Sequence, residues 1–230
     1  MNAWKNFYTQ LITYGAYKDV LSGLLKTVEI AVFGLIIGIV IGTLIAIVKV
    51  MPKYKLIPRI LEKICNIYVG LFRGTPMVVQ LLIGNFVLLP ALGIVADGVT
   101  VAILIFGLNS GAYVSEIMRS GIQSVDIGQL EAGRAVGLPY ATAMWKIVIP
   151  QSIKNILPTL GNEFIVLIKE TSVVSFIAVV DLTKAFRDIG AANYEYIIPY
   201  LMLAVIYLIM VIGITAGITA MERRFKRNER

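Results

Sequence analysis

The chain has 230 residues, 58% hydrophobic and 15% charged, with 21 Lys and Arg against 14 Asp and Glu for a net charge of +7. Soluble domains carry about 25% charged residues, so this composition, with recurring apolar runs of membrane-spanning length, excludes a soluble globular domain and points to a polytopic membrane protein. A single cysteine, Cys65, and the lack of histidine exclude an intramolecular disulfide, a multi-Cys metal site and His-based catalysis. No basic surface is interleaved with base-stacking aromatics, which excludes nucleic-acid binding.

Residues 1–26 are polar and aromatic and lack the short apolar core and small-residue cleavage site of a signal peptide. The first apolar segment, Thr27 to Val48, is therefore expected to direct insertion itself. Its Gly34, Gly38 and Gly42 recur at i, i+4 and i+8, a row that permits close helix crossing in lipid, within or between subunits. The second segment, 64–92, is interrupted at FRGTP, where Gly74 and Pro76 break a helix and Pro76 biases Thr75 away from helical dihedrals. Arg73 there either faces a water-filled cavity or snorkels to the inner interface. The third segment, 98–118, aligns Asn109, Tyr113 and Glu116 on one helical stripe.

The fourth segment, 155–180, is the most polar, with Asn162, Glu163, Lys169, Glu170, Thr171 and Ser172. Ionisable groups at membrane depth are costly unless paired or hydrated. They either line a water-accessible path, where Glu163 would attract a cationic solute group, or pair internally. The fifth segment, 196–221, carries no charge among its 26 residues.

Five spans place the termini on opposite sides. Lys49, Lys53, Lys55, Arg59 and Lys63 lie between spans one and two, Arg119, Arg134, Lys146 and Lys154 between three and four, and Arg223, Arg224, Lys226, Arg227 and Arg230 in the tail. The other side holds only Lys5, Lys18, Lys26, Lys184 and Arg187. Positive charge marks the cytoplasmic side, so the N-terminus is expected outside and the C-terminus inside. The predicted fold is an all-α polytopic membrane protein with five transmembrane helices.

The cytoplasmic stretch DIGQLEAGRAVGLPYATAMWKIVIPQ, residues 126–151, is helix-forming but too polar to span. Asp126 with Gln129 has the spacing of a capping box, Gly137 terminates the first helix, and Pro139 opens a second that runs Tyr140 to Val148 and ends at Pro150. Leu138, Ala141, Met144, Trp145 and Val148 then share an apolar face. Such an elbow can pack on its own bundle, insert into a soluble partner, or do both. No nucleophile–base pair, acid pair or metal cluster supports an enzyme, and with no GxxxxGK[ST] any ATP use belongs to a partner.

These stretches resemble importer-type ABC permeases. Glu131-Ala132-Gly133, three residues, Gly137, nine residues, then Ile147-Val148-Ile149-Pro150 is similar to that family's EAA loop, with Gly133 for the second Ala and Ile149 for Leu. FRGTPMVVQ at 72–80, AYVSEIMRSGIQSVDIGQLEAG at 112–133 and NEFIVLIKETSVVSFI at 162–177 resemble elements of the polar amino acid uptake subfamily. Competing readings are an ion-gradient-driven secondary carrier, with Glu163 and Glu170 as proton or cation sites, and a non-transporting scaffold. Both require the agreement at 126–151 to be accidental.

The resemblance implies a permease fold with an extracytoplasmic segment 1–26, a transmembrane domain 27–221 carrying the cytoplasmic coupling loop 119–154, and a basic cytoplasmic tail 222–230. It implies a multi-pass protein of a bacterial or archaeal inner membrane, paired with an identical or paralogous permease subunit. Its other partners would be a cytoplasmic ABC ATPase dimer, an extracytoplasmic solute-binding protein, an amino acid substrate and membrane lipid. No cofactor would bind this chain, since ATP and Mg belong to the ATPase. Glu131, Ala132, Arg134, Gly133 and Gly137 would couple to that ATPase, anchored through Leu138, Met144, Trp145 and Pro150. Arg73, Asn162, Glu163, Lys169, Glu170, Thr171 and Ser172 are the candidates for the translocation path or substrate contact.

Overall fold

The computed structural model describes residues 3–227, with side chains as far as Arg224, and its elements are helices joined by turns. Most of the expected basic tail at 222–230 therefore lies outside the described side chains. A short α1 (Ala3–Tyr8) leads through a π-helical turn (Thr9–Thr13) and Gly15, at φ +79°, into α2 (Tyr17–Val50). At about 1.5 Å per residue, this 34-residue helix is far longer than the apolar run 27–48 that it contains. Its added first turns pack against the chain near Asp181, where a Cβ on Gly23 would stand 2.6 Å from the Asp181 carbonyl oxygen.

The expected second span is a bent pair. α3 (Leu56–Arg73) and the helical stretch opened by α4 (Met77–Ile83) meet at 105°, and a π-helical turn (Gly84–Leu88) leads on to α5 (Leu89–Ala91). α6 (Gly98–Gln123) begins at Asp97, whose carboxylate accepts from Val99 N at 3.0 Å and Thr100 N at 3.1 Å. These bonds and the Thr100 hydroxyl at 2.6 Å hold the Asp97 carboxyl below its ordinary range, the hydroxyl bond being the largest cause.

α2 packs most extensively against α6. Added Cβ atoms on Gly34, Gly38 and Gly42 would stand 3.1 Å from Phe106 Cβ, 2.6 Å from Ser110 Oγ and 2.6 Å from Val114 Cγ1. The glycine seam is therefore intramolecular. In lipid such contact is driven by packing rather than by escape from water, and small residues let it form. The core beside the seam joins Ile30 and Ala31 to Leu81, Phe106, Leu167 and Val174.

Beyond α6 come α7 (Ile127–Ala135), α8 (Tyr140–Ala143), a π-helical turn (Met144–Val148) and α9 (Ile149–Glu170). The expected fourth span, 155–180, is not one α-helix. After Glu170 the chain tightens into a 3₁₀ segment (Thr171–Ile177) and reverses at Ala178, φ 63°. Thr171 Oγ1 donates to the Ile168 carbonyl at 2.7 Å, a local bond that competes with the helix ladder. Asp181 then caps α10 (Leu182–Ala191), whose Leu182, Phe186 and Ile189 pack on Phe7 and Ile198. The last helix, α11, is Ile197–Arg227.

Among the described residues, α2, α6 and α11 are long and apolar enough to cross a membrane, and the bent α3–α5 pair qualifies as one broken span. α9 has 22 residues but carries Lys154, Glu163, Lys169 and Glu170.

Candidate coupling elbow and membrane site

Asp126 Oδ1 accepts from Gly128 N at 2.7 Å and starts α7. The reciprocal half of the expected capping box does not form. The Gln129 side-chain oxygen accepts instead from Gln151 Nε2 of α9 at 3.3 Å, because the elbow folds back onto that helix. α7 ends in a Schellman arrangement: Leu138 N–H reaches Gly133 O at 3.1 Å and Gly137 N–H reaches Arg134 O at 3.0 Å. Gly137 sits at φ +89°, a left-handed conformation that glycine adopts without Cβ strain. Arg134 Nη1 locks the turn by donating to Leu138 O at 3.0 Å.

Glu131, Ala132, Arg134 and Gly137 are exposed on the outer side of this turn. Gly133 is buried, and a Cβ there would stand 2.8 Å from Ile147 Cδ1 and 3.3 Å from Ala143 Cβ. Gly133 therefore sets how closely α7 approaches the next helix rather than joining the outward surface.

Two expectations for the anchoring face need correction. Trp145 is 72% exposed and does not grip the bundle of this subunit. Ala143 faces inward in place of the exposed Ala141, which turns Trp145 outward, and the π-helical turn Met144–Val148 then brings Val148 to the inner side, while Leu138 and Met144 are half-buried. Pro150 does not end the helix either. It sits in the first turn of α9, directly after the widened turn, where its missing N–H removes no required bond. Pro90 follows the π-helical turn Gly84–Leu88 at the same offset.

Hydrogen bonds and a shared carboxylate tie this end of the bundle together. Tyr140 O–H donates to Val50 O at the C-terminus of α2, 3.3 Å away, and Asn155 Nδ2 donates to Ser124 Oγ at 2.8 Å. Burial pushes the Tyr140 phenol above its ordinary range, with Tyr54 adding to the effect, so the protonated donor persists at neutral pH. Lys49 Nζ reaches Glu116 Oε1 at 2.5 Å, and Arg119 Nη2 shares the same carboxylate at 2.7 Å.

The α3–α4 break is stitched by Gln80. Its Nε2 lies 2.8 Å from Phe72 O, 2.9 Å from Thr75 O and 2.8 Å from Thr75 Oγ1. Its oxygen accepts from Asn109 Nδ2 of α6 at 2.9 Å. Arg73 is exposed, with its guanidinium carbon 5.3 Å from the centroid of the Tyr113 ring. The stripe Asn109, Tyr113, Glu116 thus meets Gln80, Arg73 and Lys49 in turn.

The polar residues of the fourth segment do not share one surface. Asn162 and Lys169 are exposed, Glu170 and Ser172 half-buried, and Glu163 and Thr171 buried. Glu163 is 8% exposed and accepts from Ser110 Oγ at 3.0 Å, at the level where Gly38 closes on Ser110. Its partner within the subunit is a hydroxyl, not the cation that internal pairing would need. α4 packs against the Thr171–Ile177 segment, which brings the two irregular stretches of membrane backbone side by side.

Sequence reasoning missed Gln80, Ser110, Lys49 and Tyr140. Gln80 closes the FRGTPMVVQ stretch, and a carboxamide between Val79 and Leu81 was the available signal. Lys49 read as topological charge only. Ser110 and Tyr140 depend on partners distant in sequence, and no local pattern marks them.

Residues 34–227 match the family described as binding-protein-dependent transport system inner membrane component. The chain is 39% identical over 210 residues to the arginine transport system permease protein ArtQ of Bacillus subtilis (strain 168), covering 91% of this chain and 94% of that one. It is 38% identical over 205 residues to the putative glutamine transport system permease protein GlnP of Rickettsia prowazekii (strain Madrid E), covering 89% and 92%. A solved structure described as an amino acid ABC transporter with histidines is similar at TM-score 0.83 and 39% identity, covering 94% of this chain and 98% of that one. The chain belongs to the binding-protein-dependent inner membrane components, the permease subunits of ABC transporters, in which ATP hydrolysis resides on a separate subunit.

Proposed function

We propose that this chain is one membrane-spanning subunit of an ATP-driven amino acid importer. Five spans cross a bacterial or archaeal inner membrane, with the N-terminus outside and the C-terminus in the cytoplasm. A second permease subunit, identical or paralogous, completes the path. An extracytoplasmic binding protein delivers the solute, and two cytoplasmic ABC ATPases bind the ATP and Mg.

The elbow carries this reading. The 131–137 turn presents Glu131, Ala132, Arg134 and Gly137 outward, while Gly133 packs on Ala143 and Ile147 within the elbow and Ala143 and Val148 are buried. A rigid exposed turn fastened to α2 and α9 passes motion of a docked ATPase into the helices. The solute path runs beside the α3–α4 break and the 3₁₀ segment, with Arg73, Glu163, Glu170 and Ser172 as its nearest polar groups. Asn162 and Lys169, on the exposed face of α9, are further candidates for that path. The relatives are named as an arginine transport system permease and a putative glutamine transport system permease, which supports an amino acid as solute.

Reconstituted vesicles holding the complete complex test the reading. Glu131→Lys and Gly137→Pro are expected to insert normally, abolish uptake and disconnect ATPase activity from the solute-loaded binding protein. Wild-type uptake and stimulation in both variants would overturn it, as would uptake that needs no ATPase and collapses with an uncoupler.

A further inference from the structure

We propose that Gln80 and Asn109 form a clamp that sets the angle of the α3–α4 break and thereby positions Arg73 for solute capture. Interrupting a helix at membrane depth strands carbonyl groups that no water can satisfy. Here one carboxamide answers for both sides of the interruption. Gln80 reaches back from α4 to Phe72 O on α3, at 2.8 Å, and to Thr75 O in the turn, at 2.9 Å. Thr75 Oγ1 in turn caps Leu71 O at 2.8 Å.

The clamp is fastened from outside the break. Asn109, 5% exposed, donates to the Gln80 oxygen at 2.9 Å and stands 3.4 Å from Phe72 O. One turn further along α6, the Tyr113 ring lies under the Arg73 guanidinium. Both anchors of the break therefore stand on a single stripe of one helix. An apolar pair of similar shape would fill this space at lower desolvation cost, so a fully engaged polar pair selects one geometry rather than maximal stability. That geometry holds an exposed cation in place inside a membrane-spanning element.

The inference rests on the importer reading for its transport consequence but not for its structural one, and the test separates them. The complete complex in lipid nanodiscs is compared as wild type, Gln80→Leu, Asn109→Leu, the double variant and Gln80→Glu. The last keeps the acceptor for Asn109 and removes the donors to Phe72 and Thr75, at nearly unchanged shape. Amide hydrogen exchange across residues 72–80 is expected to quicken on the order of tenfold in each single variant. The KM of uptake is expected to rise roughly tenfold with little change in maximal rate. The double variant is expected to be no worse than either single, as for partners in one interaction. Unchanged exchange overturns the clamp, whether or not an amino acid is transported. Additive losses overturn the pairing. Faster exchange with unchanged KM overturns the positioning of Arg73. If the wild-type complex takes up no amino acid, the importer reading fails while the exchange measurement still decides the clamp.

Discussion

A Cβ added to Gly38 of α2 would stand 2.6 Å from the Ser110 Oγ of α6, the same hydroxyl that donates to Glu163 of α9 at 3.0 Å. Three helices thus meet at one glycine. The hydrogen bond that keeps a buried carboxylate company exists only because α2 has no side chain there. Ser110 Cβ is 2.7 Å from the same point, so rotating the hydroxyl away does not relieve the contact.

Gly38→Ala is therefore expected to force α2 and α6 apart and destabilise the subunit by about 1–3 kcal/mol, the usual range for overpacking. Thermal unfolding in detergent measures it. Combining Gly38→Ala with Ser110→Gly is expected to recover part of the loss, whereas Ser110→Ala is not. Equal recovery by both second substitutions would contradict the contact geometry.

Glu163→Gln keeps an acceptor for Ser110 while removing the charge. If Glu163 draws the cationic group of a solute, the variant should lose preference for cationic over zwitterionic amino acids by about tenfold, the scale of one charge-assisted hydrogen bond. Competition uptake in vesicles measures the ratio. Unchanged rate and selectivity would remove Glu163 from the path and leave it a structural partner of Ser110.

Tyr140→Phe deletes only the hydroxyl bond to Val50 at 3.3 Å, at a cost of about 1 kcal/mol. The folded-state shift of Tyr140 is upward, so its contribution is fully present below the unfolded value of 10.0 and is lost as pH rises through the higher folded value. Wild-type melting temperature should accordingly fall, as pH rises above 10.0, by more than that of Tyr140→Phe. Parallel pH profiles would show that the phenol is not buried in the folded elbow, and an unchanged melting temperature of Tyr140→Phe at neutral pH would show that the hydroxyl bond does not hold the elbow to α2.

Much of the architecture was readable from local pattern. The row Gly34, Gly38, Gly42 announced a close crossing, Pro76 announced the break, and the spacing from Glu131 to Gly137 announced an exposed elbow. These features arise from steric, capping and periodicity rules that act within a few turns of chain. Trp145 was misplaced because apolar character alone chose the helix face: Ala143 rather than Ala141 turns inward, which sends Trp145 outward, and the π-helical turn then returns Val148 to the inner side.

The amino-acid sequence determined that this chain is helical, membrane-bound and built around an exposed elbow, because apolar run length and helix caps are properties of contiguous residues. Only the tertiary structure decided which polar groups meet. Ser110 and Glu163 are 53 positions apart, Gln80 and Asn109 are 29, and Tyr140 and Val50 are 90. Each pairing depends on how far two helices slide and rotate before their small residues interlock, and that is set by packing across the whole bundle.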